Sequence, residues 1–132
     1  KPEGLRYSEA IKEIISKNGL EILITKKLIL SPETIKVIYP DVKSDLLKAH
    51  ILFMTKRQSE VGIVKGQNAV WKLLEISGTE TDPSICATGT IRNIFGQNKL
   101  FRVGNALYYK NAFHRSQNKM EAKRDIQLFS TM

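Results

Sequence analysis

The amino-acid sequence predicts an α+β sandwich, a small sheet with helices on one or both faces. Three observations carry this expectation. Apolar residues recur at helical spacing in several separated stretches, Ile- and Leu-rich runs of strand length stand between them, and Gly or Pro marks most junctions. At 132 residues, 42% of them hydrophobic, the chain is the size of one domain and can bury its own core.

The first helix is predicted from about Arg6 to Asn18, where Ala10, Ile11, Ile14 and Ile15 share one face and Gly19 ends the run. Leu20 to Leu30 reads as a strand with one face covered. Ser31 as N-cap and Pro32 at the first helical position open a second helix, which runs to about Tyr39 and is stopped by Pro40. Lys43 to Met54 is helical, with Leu46, Leu47, Ile51 and Leu52 apolar; Glu60 to Lys65 is a short strand; Gly66 turns the chain. Asn68 to Ile76 gives another helix with Val70, Trp71, Leu73 and Leu74 inward, and Asp82-Pro83 repeats the cap-then-proline signal for a short helical turn. After Gly89 to Arg92 the chain is loop-like, with short strands near Leu100 to Val103 and Ala106 to Tyr109. A strand ending at His114 and a helix from Gln117 to Phe129, N-capped by Ser116, close it. Because the first helix begins almost at Lys1, a split β-α-β arrangement calls for a strand ahead of it, and the chain reads as part of a longer polypeptide.

Composition narrows the partners. The net charge of +8, from 21 Lys and Arg against 13 Asp and Glu, implies attraction to polyanions. The basic residues are scattered and aromatics do not interleave with them as a base-stacking sheet requires, which ranks nucleic acid below small phosphates. The single Cys86 cannot form an internal bridge and no Cys/His cluster has zinc spacing, a pattern that suits a reducing, intracellular compartment. No apolar run approaches the roughly 20 residues of a membrane span.

The candidate chemistry centres on Asn111-Ala112-Phe113-His114-Arg115-Ser116, which delivers one histidine to a strand-to-helix junction. Asp125, eleven positions on, is placed to fold back and hold one ring nitrogen. Taken alone, a lone histidine of this kind is more often a surface or half-buried residue without chemical consequence.

Several separated pieces change that weighting. Lys1-Pro2-Glu3-Gly4, Tyr39 at a helix end, Glu80-Thr81-Asp82-Pro83, Gly89-Thr90-Ile91-Arg92, Asn111 to His114 with Ser116, and Asp125 stand in one order along the chain. In that order and approximate spacing the chain resembles the nucleoside diphosphate kinases. The resemblance spans almost the whole chain and implies a single kinase-like domain over residues 1–132. It implies a ferredoxin-like βαββαβ sandwich, an antiparallel sheet with surrounding helices, whose first strand precedes the KPEG motif and is missing from this sequence. It further implies a ping-pong transfer of the γ-phosphate of ATP to nucleoside diphosphates. His114 is then the nucleophile and Asp125, where the family has glutamate, fixes its tautomer. Lys1 and Tyr39 lie near the transferred phosphate, Thr81 and Arg92 hold the distal phosphates, and Asn111 with Lys1 binds the ribose hydroxyl. Mg²⁺ arrives with the nucleotide phosphates, so no metal-ligating residues are expected on the chain. The resemblance also implies a homo-oligomer or a place in a larger assembly, in the cytoplasm or, as the alternative, a cilium or axoneme.

Four departures from the family pattern bear on activity. A second phosphate-binding arginine of the family falls on Glu75, or on Leu74 with a one-residue insertion, with Lys72 as the nearest substitute. The base-stacking phenylalanine after Tyr39 has no aromatic counterpart between Pro40 and Leu52. Arg115 stands where the family has glycine, with Asn93 and Ile94 following the GTIR motif, and Gly96 to Lys110 is an insertion where family members pack together. These departures support an alternative reading as a catalytically degenerate, nucleotide-binding or structural module.

Overall fold

The computed structural model describes residues 1–132. A 3-10 turn, Pro2–Tyr7, runs straight into helix α1, Ser8–Lys17, whose Ile11 and Ile15 are buried. Strand β1, Glu21–Leu28, follows, then α2, Pro32–Ile38, and α3, Ser44–Met54. Ser31 caps α2 as expected, its hydroxyl accepting from Thr34 N at 3.1 Å. Strand β2, Ser59–Lys65, pairs antiparallel with β1 from Glu21 opposite Lys65 to Leu28 opposite Ser59, with a register shift between Ile22 and Ile24. Helix α4, Ala69–Ser77, and a 3-10 turn, Pro83–Ile85, lead to α5, Ile91–Phe95. A hairpin of β3, Leu100–Val103, and β4, Ala106–Tyr109, precedes the last helix, α6, Lys119–Phe129.

The α+β class is as predicted, with the strands distributed over two separate antiparallel pairs, β1-β2 and β3-β4. Two apolar clusters hold the layers: Ile11, Ile15, Leu20 and Ile91 on one side, Leu30, Ile35 and Met54 on the other. A cavity of about 290 Å³ lies beside β2, lined by Ile11, Ile22, Met54, Val61 and Phe129 among others. No helix is long and apolar enough to cross a membrane.

Four local expectations need correction. The segment that carries His114 has no strand pairing, because residues 110–118 lie between the hairpin and α6 with irregular backbone. The N-cap of α6 is Asn118, whose side chain accepts from Glu121 N at 2.8 Å, while the Ser116 hydroxyl is committed elsewhere. Helix α5 was not legible as a helix; Thr90 caps it through Asn93 N, and five residues are too few to show a period. Trp71, expected inward, is 67% exposed on the solvent side of α4.

The hairpin is pinned to α3. Asn105 N donates to Asp45 Oδ2 at 2.9 Å, and Phe53 stacks on Tyr108 at a ring-centroid distance of 4.8 Å and meets Phe101 at a tilt at 5.2 Å. The insertion therefore folds back over α3 rather than extending into solvent.

Candidate active site

Residues from the two ends of the chain meet at Gly4. A Cβ on Gly4 would stand 2.5 Å from the carbonyl oxygen of Ala112, so only glycine lets the KPEG backbone approach the histidine segment this closely. That approach places Lys1 Nζ 2.9 Å from Asn111 Oδ1, to which it donates, and 3.9 Å from Glu3 Oε2. Glu3 in turn accepts from Ala112 N at 3.0 Å, and Asn111 Nδ2 donates to the carbonyl of Thr81 at 3.0 Å. Burial lowers the Lys1 ammonium to about 8, with Glu3 opposing the shift and Arg92 adding to it.

A second cavity, of about 320 Å³, opens in front of these residues; Lys1, Tyr39, Thr81, Arg92, Asn111 and His114 all line it. The structure thus brings together in one place every predicted site residue except Asp125. Asp125 lines the cavity beside β2, which His114 also borders.

His114 sits in a run of rings. Its centroid lies 4.6 Å from Tyr39, which lies 4.3 Å from His50, which meets Tyr108 edge-on at 5.0 Å. Burial holds the His114 imidazole well below its ordinary value of 6.5, with Lys1, Arg92 and Arg115 adding to the effect. The ring is therefore neutral near pH 7 and retains a lone pair. Its Nε2 is sealed from solvent and has no hydrogen-bond partner.

The expected carboxylate contact is not made. Asp125 Oδ2 accepts from the Ser116 hydroxyl at 2.7 Å, and Oδ1 accepts from Arg124 Nε and Nη2 at 2.9 and 2.8 Å. The shorter aspartate is spent on its neighbours, whereas Nε2 of His114 is left alone. Arg92 is likewise engaged: Nε and Nη2 donate to the carbonyl of Phe113 at 3.0 and 2.9 Å and Nη1 to that of Glu80 at 2.8 Å. Two of these bonds fix the backbone just before His114, the third ties Arg92 to the Glu80 carbonyl, and two N–H groups of the fork make no bond to the chain.

The structure also decides several of the departures. Glu75 is exposed on α4, and neither it nor Lys72 borders the cavity. Arg115 is on the cavity wall. So are Leu107, Tyr108 and Tyr109 of the hairpin, opposite Val42, Leu46 and His50. His50 escaped the sequence reading because it lies within an amphipathic helix and no motif marks it; its Nδ1 donates to the Leu46 carbonyl at 2.8 Å.

Comparison with known proteins fits this geometry. The family model described as nucleoside diphosphate kinase matches residues 1–131. The chain belongs to the nucleoside diphosphate kinase family. Among its relatives, the nucleoside diphosphate kinase of Pyrococcus furiosus is 35% identical over 123 residues, covering 90% of this chain and 72% of that protein. The nucleoside diphosphate kinase of Glaesserella parasuis is 33% identical over 135 residues, covering 99% and 90%. Among solved structures, a transition-state mimic of the Borrelia burgdorferi nucleoside-diphosphate kinase with vanadate and ADP superposes with a TM-score of 0.78 at 22% identity, over 98% of this chain and 82% of that one. A halophilic nucleoside diphosphate kinase from Halobacterium salinarum in complex with CDP gives 0.76 at 20% identity, over 98% and 82%. The fold is the ferredoxin-like α+β fold of these nucleoside diphosphate kinases, and the chain is a phosphotransferase of that family.

Proposed function

We propose that this nucleoside diphosphate kinase works by a ping-pong mechanism with His114 as phosphoryl acceptor. The observation that carries the reading is the convergence of Lys1, Tyr39, Thr81, Arg92 and Asn111 on one cavity with a neutral His114 at its wall. Since Nε2 is sealed, the other ring nitrogen, Nδ1, is the one that faces a phosphate. Its lone pair forms the N–P bond as the bond from the γ-phosphorus to the bridging oxygen breaks, and ADP leaves with that electron pair. A terminal oxygen of an incoming nucleoside diphosphate then attacks the phosphohistidine, the N–P bond breaks, and neutral His114 is restored.

The chain's own residues supply position and charge. Lys1 and the free N–H groups of Arg92 neutralise phosphate oxygens, Tyr39 packs against the imidazole and fixes its plane, and Asn111, held by Lys1 and Thr81, presents its amide to the sugar hydroxyls. Magnesium, when bound, neutralises and orients the phosphates. The cavity wall carries only Asp41 and Glu121 as carboxylates, and no cluster of three His, Cys, Asp or Glu residues is present, a donor set that suits an ion carried in by the nucleotide.

A second reading, a degenerate nucleotide-binding module, draws on the unpartnered Nε2 and on the commitment of Arg92 to backbone carbonyls. One experiment separates the two. With labelled ATP and Mg²⁺, wild type is expected to give an acid-labile, alkali-stable phosphoprotein that His114→Asn does not form, and to pass the label to several nucleoside diphosphates. Nucleotide binding without any phosphoprotein would leave the degenerate module standing and sink the kinase mechanism.

A further inference from the structure

Arg115 is a charged side chain folded inward with too few partners. It is 6% exposed, and of its five N–H groups the structure shows one hydrogen bond, Nη2 to the carbonyl of Gly78 at 3.1 Å. Its Nε is sealed from solvent without any partner and Nη1 makes no hydrogen bond, so the Nη N–H groups are the ones a ligand in the cavity can reach; Arg115 makes no ion pair with any carboxylate. Cys86, Tyr39 and Glu121 favour its charge from farther off; Glu121 Oε1 accepts from Gln117 N at 3.2 Å. Burial, with Arg92 next, lowers the guanidinium to about 10, which leaves it cationic at neutral pH.

A buried cation with an unmade hydrogen bond is costly unless an anion completes it. The groups around Arg115 do not supply one. Arg92 is a second buried guanidinium bound only to neutral carbonyls, and Glu3 is held by Lys1 and Ala112 N. Both guanidiniums line the same cavity as His114. Neither guanidinium makes an ion pair, and their joint charge fits a polyphosphate, whose oxygens accept from planar forks.

We propose that Arg115 binds the nucleotide's phosphates beyond the α-phosphate, beside His114, and so supplies the cation that α4 does not. This rests on the reading of the cavity as the nucleotide site. Position 75, where the resemblance places a phosphate-binding arginine, is an exposed glutamate outside the cavity. The charge has moved to the residue that follows the nucleophile, and the C-terminal end of α4 contributes only the Gly78 carbonyl that steadies it.

The test compares ADP, AMP and adenosine by calorimetry on wild type, Arg115→Gln and Arg115→Lys. Arg115→Gln is expected to weaken ADP roughly 10- to 100-fold and to change AMP and adenosine less than about twofold, with partial recovery in Arg115→Lys. An equal loss for all three ligands, or no loss for ADP, overturns the proposal and makes Arg115 a strut for Gly78. Should Arg115→Gln fail to fold, the wild-type protein still decides: the Arg115 guanidinium Nη–H resonances are expected to move on adding ADP or inorganic pyrophosphate and to stay in place with adenosine, and immobility with both phosphates overturns the assignment. Failure of wild type to bind ADP at all would remove the nucleotide reading itself, whereas intact ADP binding indifferent to Arg115 removes this inference alone.

Discussion

The Ser116 hydroxyl donates to Asp125 Oδ2 at 2.7 Å, nine residues apart across the start of α6. Together with Arg124 on Oδ1, this bond holds the carboxylate away from His114, whose Nε2 stays buried and unpartnered. Lengthening the side chain should relieve the shortfall. Asp125→Glu is expected to accelerate phosphohistidine formation about tenfold, the equivalent of one hydrogen bond of about 1.4 kcal/mol to the nitrogen opposite the attacking one. Arg124→Gln, which frees Oδ1, is expected to act in the same direction and more weakly. Rapid-quench measurement of phosphoenzyme checks both, and a slower rate in each would show that Asp125 serves His114 better where it is.

The lowered pKa of His114 has a consequence for stability. Its folded value lies below the unfolded one near 6.5, so the unfolded chain binds the extra proton first as pH falls. The stability associated with the neutral ring is therefore complete above about pH 6.5 and is lost progressively below it, with a slope of at most about 1.4 kcal/mol per pH unit. His50, lowered for the same first cause, burial, adds to the slope. Urea titrations between pH 5 and 7 should show a shallower dependence in His114→Gln than in wild type; parallel curves would contradict the assignment.

Gly78 has φ of 99°, and a Cβ there would stand 2.8 Å from Cys86 Sγ and 3.2 Å from Thr90 Oγ1. Gly78→Ala combines left-handed strain with a clash, for a loss of about 1–3 kcal/mol. Because its carbonyl holds Arg115, the same substitution should weaken ADP more than adenosine. Thermal unfolding with and without ADP reads both effects.

The hydroxyl of Tyr108, 2% exposed, has no hydrogen-bond partner. Tyr108→Phe keeps the ring against Phe53 and His50 and removes only the orphaned group, and is expected to raise stability by about 1 kcal/mol. A loss of stability in chemical denaturation would mean that the hydroxyl has a partner in solution.

Much of the fold was legible because its signals are local. The Ile11/Ile15 face of α1, the Ser31-Pro32 start of α2 and the strand character of β1 and β2 depend on neighbours a few residues away. The hairpin strands were also readable, but the Asp45 contact that turns them onto α3 joins residues 60 positions apart and leaves no local trace. The irregular path of residues 110–118 and the inward turn of Arg115 depend on how the chain ends pack, which no periodicity reports.

By itself the sequence determined which chemical groups are available: one histidine in a family motif, a lysine beside Pro2-Glu3-Gly4, an arginine after Gly89-Thr90-Ile91, and no phosphate loop. Residue order and spacing were enough for that. Only the tertiary structure decided what each group is free to do. Asp125 is occupied by Ser116 and Arg124, Arg92 braces the Phe113 and Glu80 carbonyls, Glu75 faces solvent, and Arg115 lies buried with a single hydrogen bond. The reason is that hydrogen bonds and buried charges are settled by whatever partners the packed chain brings within about 3 Å, and those partners come from distant parts of the sequence.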